Sequence, residues 1–401
     1  MRLYSYLLLF LFATIAFAQN DYQQDFQKIK SRYNYNVSRP SVVNFNYFID
    51  YNAASLDQVF HLAVSIQNDF LQFNRENERF TSQYLVSLII RKDDKTWYSK
   101  SWQKDAVLYD FETTNSKRDY QYNAFKVNFS EEGGQNFEDG AYEVLLEVHD
   151  KFSSREYKNK RKLEYSAWLD SDSLKNTEIV FLKDDIVDFS RAFDITATKN
   201  NININTPYNA FACLFSEADQ HIEANIRIYT VKDEEKNLFM QDFYETQSDS
   251  LGKSYIKYLM PYKKMTEGKY SIRFSVSLDE ADYEIERDFN VLWFLKPLYL
   301  YKVDLAVRPL KYLLSPKEME SVKDLEMNDL TSWFNDFWKE RDPDSTTVFN
   351  ELQEVYYKRV TESVRSFSTR FQEGWQTDRG MVYLLYGEPS EVENRKYSVS
   401  S

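Results

Sequence analysis

Residues 140–150 read GAYEVLLEVHD, and residues 268–278 read GKYSIRFSVSL. Aligned, they match along one face: Gly140 with Gly268, Tyr142 with Tyr270, Val144 with Ile272, Leu146 with Phe274, Val148 with Val276. Apolar residues at every second position turn one side of a pleated strand toward a core. The glycine opening each run marks a turn. The match predicts an internal duplication, with this strand near the end of each copy.

Short strand patterns precede both copies. Those before the first cover 42–51, 58–67, 84–92, 96–102 and 124–130; those before the second cover 187–197, 209–215, 222–231, 239–246 and 253–261. In 58–67, Val59, His61, Ala63 and Ser65 share one face, and Phe60, Leu62, Val64 and Ile66 the other. Short strands at regular spacing with polar turns predict antiparallel, Ig-like sandwiches. We place one at 41–180 and a second at 181–292. The aromatic content of 17% favours strands as well. Only 8 Gly and 8 Pro are present, so turns fall to Asn, Asp and Lys clusters such as 199–205, KNNININ.

The first residues, MRLYSYLLLFLFATIAFAQN, place Arg2 before a short apolar run and Ala16-Phe17-Ala18 before Gln19. This is a signal-peptide pattern over 1–18, predicting export to the periplasm, cell surface or medium. A polar lead-in follows at 19–40. No later run is long and apolar enough for a membrane helix. The segment 291–301, VLWFLKPLYLY, is short and broken by Lys296 and Pro297. Cys213 is the one cysteine, so no intrachain disulfide forms, and its apolar surroundings make it a small core residue.

The net charge of −13 disfavours nucleic acid, which needs clustered cations. The densest basic run, 158–162, reads as a solvated strand edge or loop. His61, His149 and His221 are scattered, without metal-ligand spacing. The acidic stretches 184–188 and 277–284 lack EF-hand spacing. No nucleophile elbow, Walker A or dinucleotide fingerprint is present. Neither a metal nor a cofactor is expected.

After residue 292 the pattern changes. A Pro-marked linker is predicted at 293–314. Ser315, Pro316 and Glu318 have capping-box spacing, and a helix covers 315–326. A second helix covers 328–340, with Asn328 at its N-cap and Leu330, Trp333, Phe334 and Phe337 on one face. A long helix over 346–372 carries an apolar stripe from Phe349 through Tyr356 and Val360 to Phe371. Gly374 then fits the left-handed position beyond its end.

Residues 374–389, GWQTDRGMVYLLYGEP, close this region. The segment resembles the GWxTD-domain family of exported bacterial proteins, whose function is not established. The resemblance rests on Gly374, Trp375, Thr377, Asp378, Arg379, Gly380, Val382, Tyr383, Tyr386, Gly387 and Pro389. Upstream, Trp338, Arg341, Asp342, Pro343, Asn350, Glu351, Tyr356, Tyr357 and Arg359 belong to the same pattern. The family usually continues past the Gly-x-Pro turn with more strand, whereas here 390–401 follow. Read residue by residue, Trp375 is a core plug, and Thr377 and Asp378 bond backbone N–H groups in a turn. Arg379 pairs with a carboxylate, and Gly380 takes a positive φ to launch a strand over 381–386. That strand either lacks a partner in a shortened domain or pairs elsewhere.

Two functional readings stand. The first is an exported envelope protein with a binding or structural role toward a protein or glycan. The second is a small-ligand or enzymatic site in the helical domain 315–401. There Asp378, Arg379, Glu340 and Arg341 would surround a pocket of Trp375, Tyr383 and Tyr386.

Overall fold

The computed structural model describes residues 42–51, 57–117, 119–165, 175–176, 178–183, 195–196, 198, 200–278 and 281–391. The expected leader and lead-in lie outside these residues, as does most of the strand expected at 187–197. The chain is mainly β, with helices toward its C-terminal end. It forms two compact units: 41–295 with 346–349, and a second that contains 296–345 and 350–401.

Among the described residues the β unit holds four sheets. Strands β1 (Val43–Tyr51), β2 (Gln58–Gln67) and β6 (Tyr120–Asn128) form the first, in the order β1–β2–β6. The second is built from β3 (Asn74–Glu76), β4 (Arg79–Lys92), β5 (Lys95–Leu108), β7 (Gly140–Asp150) and β8 (Glu156–Tyr165). In it β4 pairs with β3, β5 and β7, and β7 pairs with β8. The third contains β9 (Lys175–Asn176), β10 (Val180–Leu182), β12 (Asn209–Phe215) and β15 (Lys253–Leu259), with β12 central. The fourth orders β11 (Asn201–Asn203), β17 (Ala281–Leu292), β16 (Gly268–Leu278), β13 (His221–Lys232) and β14 (Glu235–Gln247). Among the described residues the ladders are antiparallel except β11–β17.

The two matched runs take equivalent places in their sheets. β7 lies between β4 and β8, and β16 lies between β13 and β17. The Tyr142 hydroxyl accepts from Glu138 N–H and donates to Glu138 C=O, both at 3.0 Å. The Tyr270 hydroxyl does the same with Thr266, at 3.2 and 3.1 Å. Each phenol thus pins the turn that feeds its strand. The hairpins repeat too. Asp93 and Asp94 have φ of 50° and 60°, and Asp233 and Glu234 have 50° and 68°. Positive φ at both central residues is the I′ turn, made here without glycine. Each hairpin carries a register shift, at Ile90/Arg91 and at Ile228/Tyr229.

One core lies between the first two sheets, centred on Phe60, Leu62, Val86, Leu88 and Leu146. Another lies between the last two, around Ile226, Ile256, Ile272 and Phe274. A third joins the first sheet to the third through Phe48, Ala63, Leu182, Phe211 and Cys213. All 10 residues of β2 are therefore buried, although its sequence alternates. That joint also buries an ion pair: Lys253 Nζ lies 2.9 Å from Asp50 Oδ1, with His61 Nε2 3.9 Å from Asp50 Oδ2. Burial, reinforced by Lys126 and Lys253, lowers the His61 pKa to about 3. The basic run at 158–162 lies in β8, where Lys158 and Lys160 pair with Glu147 and Glu143 on β7.

The helical unit contains α1 (Val303–Val307), α2 (Pro316–Lys323), α3 (Met327–Lys339), α4 (Glu351–Phe367) and α5 (Asp378–Tyr386). The Ser315–Glu318 capping box forms. The N-cap of α3 is Glu326, not Asn328. The stretch read as a linker holds 3-10 turns at Leu298–Tyr301 and Arg308–Tyr312, flanking α1. Tyr299, Leu305, Ala306 and Leu310 there are buried with Phe334, Trp338, Tyr357 and Val360. The long helix is shorter than its stripe suggests: it ends at Phe367, Phe349 precedes it and Phe371 beyond it is exposed. Among the described residues no helix is long and apolar enough to cross a membrane.

The strand and hairpin expected at 381–386 are corrected: Asp378–Tyr386 is a helix. The residues are rich in Val, Tyr and Leu, which suit strands. However, Thr377 caps the segment and Gly380 and Leu384, four apart, are the pair it buries. The question of a missing partner strand is thereby removed.

Candidate functional site

The motif is the joint between α4 and α5. After α4 the chain turns through Ser368–Glu373 into a 3-10 turn at Gly374–Gln376, then enters α5. Gly374 lies against the α4 backbone. A Cβ there would sit 2.8 Å from Val364 Cα and closer still to the Ser363 carbonyl. Gly374 is therefore fixed by close approach rather than by a left-handed helix end, because Ser368 already caps α4. Its N–H donates to Ser368 Oγ at 2.8 Å. Gly380 lies in turn against the Gly374 peptide, where a Cβ would be 2.6 Å from the Gly374 carbonyl carbon. Gly380 is inside α5 and is absent from the positive-φ residues, so the left-handed role expected for it is corrected. These two glycines let α4, the turn and α5 stack almost backbone to backbone.

Trp375 is the plug the sequence indicates, with 2% of its surface exposed. Its Nε1 donates to the Tyr299 hydroxyl at 2.9 Å and to Glu373 Oε2 at 2.7 Å. Tyr299 donates to the same Glu373 oxygen at 2.9 Å. Burial, then the Glu373 charge, push the Tyr299 phenol above its usual range. The Trp375 carbonyl accepts from the Tyr312 hydroxyl at 2.9 Å, and Lys311 Nζ lies 5.1 Å from the indole centroid. Tyr299, Tyr312 and Glu373 are absent from the sequence-derived site. Tyr299 and Tyr312 fall in the stretch read as linker, and a lone Glu before Gly374 carries no signal.

Thr377 bridges both sides of the joint. Its Oγ1 accepts from Gly380 N–H at 3.1 Å and donates to Gly374 C=O at 2.7 Å. The far end of α5 is held by Arg359 of α4, whose Nη1 donates to the Leu384 and Leu385 carbonyls at 3.3 and 3.2 Å. Gly387, with φ of 86° and ψ of −160°, ends α5 in a backbone conformation that favours glycine and donates to Tyr383 C=O at 2.8 Å. Tyr383 packs edge-on against Phe367, while Tyr386 and Pro389 are exposed.

The upstream residues join α3 to α4. Asn350 caps α4 by accepting from Gln353 N–H at 2.8 Å, and its Nδ2 donates to the Trp338 carbonyl at 2.6 Å. Trp338 is buried among Phe334, Phe337, Tyr356 and Tyr357. The Tyr356 and Tyr357 hydroxyls bond the Pro309 and Ala306 carbonyls at 2.8 and 2.6 Å. Arg341 lies over the Phe337 ring, donates to Phe337 C=O at 2.8 Å and pairs with Glu340 at 3.5 Å. Asp342 Oδ1 accepts from Asp344 N–H at 3.0 Å across Pro343, and Glu351 occupies the first turn of α4.

Asp378 and Arg379 differ from the rest. Both are exposed on the first turn of α5, and neither side chain makes a hydrogen bond or ion pair among the described residues. The backbone bond expected of Asp378 and the carboxylate partner expected of Arg379 are thus corrected. A carboxylate at this end is favoured by the helix dipole without a specific partner.

This is an antiparallel β protein that carries a compact helical unit held by a two-glycine joint. Residues 297–399, the C-terminal part of the chain, match the model of the GWxTD domain. No curated protein matches the chain. Among solved structures, red sea bream transglutaminase aligns at 8% identity and a TM-score of 0.19, over 67% of this chain and 34% of its own. Pseudomonas fluorescens alkylpurine DNA glycosylase AlkC, bound to DNA containing an abasic-site analogue, aligns at 15% and 0.16, over 23% and 27%. The chain thus spans well under two thirds of either protein, and neither likeness defines its fold.

Proposed function

We propose that the chain is an exported protein of the cell envelope with a binding or structural role. In this reading two β-sandwich modules, near 41–180 and 181–292, serve a protein or glycan partner, and the GWxTD domain follows them. The supporting observation is how the motif residues are used. Gly374, Trp375, Thr377 and Gly380 are spent on seating α5 against α4. Such packing fits a structural module better than a reaction centre. The leader-like N-terminus supports export. The test is affinity capture from envelope extract with the mature chain. Reproducible enrichment of one envelope protein or glycan supports the reading; recovery no different from a beads control sinks it.

The exposed, unpaired Asp378 and Arg379 favour a second reading, a small-ligand site at the start of α5. A panel of charged metabolites screened by thermal shift tests it. A ligand that stabilises the wild type but not Asp378→Asn or Arg379→Ala would establish that site.

A further inference from the structure

The matched runs allow two equivalent sheet edges to be compared. β5 and β14 are the second strands of the matching hairpins, and each ends its sheet among the described residues. The register aligns them residue by residue. Leu88 faces Lys100 and Leu146, as Ile226 faces Asp242 and Phe274. Lys100 therefore corresponds to Asp242, Ser101 to Phe243, Trp102 to Tyr244 and Lys104 to Thr246.

An open edge offers unpaired N–H and C=O groups to any extended chain, and lysines leaning across it are a common guard. β5 is guarded in this way. Lys100 reaches Glu132 and lies 5.5 Å from the Trp102 ring, and Lys104 lies 5.1 Å from the Phe125 ring. The outward Ser101 bonds Ser87 at 2.7 Å. β14 has no such lysine guard, and within it Phe243 N–H donates to Asp242 Oδ1 at 2.9 Å. Its one lysine, Lys236, is committed to Glu286. Against it stand Glu235, Asp242 and Glu245, all exposed. At the Ser101 position it presents Phe243, 74% exposed, and Leu238 is 57% exposed.

We infer that β14 is a docking edge for an extended basic peptide, which adds to the fourth sheet as a further strand. The inference rests on the reading of the β modules as binding modules and names the strand and the chemistry. Main-chain bonds to the free edge would supply affinity, Phe243 and Leu238 would receive alternate apolar side chains, and the three acids would select lysine or arginine. A second copy of β14 would bring its own acids to the edge and is disfavoured.

The probe is a synthetic peptide of alternating Lys and Val, with a Glu–Val peptide as control. Binding to the full mature chain is followed by fluorescence anisotropy and amide exchange. The Lys–Val peptide is expected to bind at least tenfold more tightly than the control and to slow exchange within 235–247 but not within 95–108. The surface change Leu238→Lys with Phe243→Lys, which leaves the cores untouched, is expected to weaken it tenfold or more. No binding, equal binding by the double variant, or protection at β5 would overturn the inference. So would concentration-dependent protection of β14 without peptide, which marks self-pairing. If envelope capture succeeds while the double variant captures equally well, the broader reading stands and the β14 edge falls.

Discussion

Replacing Gly380 with alanine should reverse the sign that this change normally carries in a helix. Alanine is favoured over glycine by ~1 kcal/mol in a helix interior. At Gly380 the added methyl would lie 2.6 Å from the Gly374 carbonyl carbon and 3.0 Å from Trp375 Cα. Both neighbours are backbone or next to it, so no side chain can swing away. Relief requires α5 to lift from the turn by on the order of 1 Å, as with other overpacked sites. Lifting it stretches the 3.1 Å Gly380–Thr377 cap and loosens Leu384 and Trp375, 0% and 2% exposed. Overpacking costs about 1–3 kcal/mol and a lost threonine cap about 1. Against the helix gain, the net expectation is a loss of about 1–3 kcal/mol. Urea unfolding of the full chain, with amide exchange read within 378–386, measures it. Asn328→Ala, at an exposed position of α3, is the control and should be neutral or slightly stabilising. If Gly380→Ala proves neutral or stabilising, the backbone stacking argued for the joint is wrong.

Arg359→Met removes the guanidinium from the Leu384 and Leu385 carbonyls and should cost about 1–2 kcal/mol; amide exchange in α5 should speed up, with partial rescue by lysine. Lys253→Met leaves Asp50 charged in the joint and should cost about 3–5 kcal/mol by urea titration, whereas adding Asp50→Leu should recover a large part; a silent single variant would show that water reaches the pair. Acid should weaken the fourth sheet. Burial alone would raise the Glu286 pKa, but hydrogen bonds from Lys236, Ser271 and Arg273 outweigh it and hold it at about 2. That carboxylate stabilises fully above the ordinary glutamate range near ~4.3 and loses its effect as pH falls through about 2. A melting-temperature profile should therefore flatten between those values in Glu286→Gln. His61 acts in the same direction at higher pH. Its folded pKa of about 3 lies below the unfolded ~6.5, so its contribution is present above ~6.5 and declines as pH falls toward 3; His61→Asn should remove that slope, and an unchanged profile would contradict its burial as a neutral ring.

The strands were legible wherever one face meets a core and the other meets water. β7 alternates buried and half-buried along most of its length, as its sequence alternates apolar and polar. β2 was legible as a strand but not as an inner layer, because Val59, His61, Ala63 and Ser65 are as compatible with a wet face as with a second interface. What decides between them is Phe211 and Cys213, more than a hundred residues away. The motif failed for a related reason. Only Gly380 and Leu384 of α5 are buried, and Val382 and Tyr386 are exposed, so the helical period is carried by two residues. Glycine carries no hydrophobic signal, so one of those two was invisible to a periodicity argument and was read as a turn.

The roles within GWxTD follow from how closely two backbones approach. Once Gly374 and Gly380 bring α4, the turn and α5 together, the neighbouring polar groups lose access to water and need partners. Thr377 supplies one set of bonds, Arg359 supplies another, and Trp375 finds Tyr299 and Glu373. Asp378 and Arg379 stand on the opposite, exposed side of the same first turn and take no part in this accounting. A contribution to binding from those two residues would therefore appear without loss of stability, and a contribution from Gly374, Trp375, Thr377 or Gly380 would not. Measuring stability and partner capture on the same variants separates the two kinds of residue within the motif.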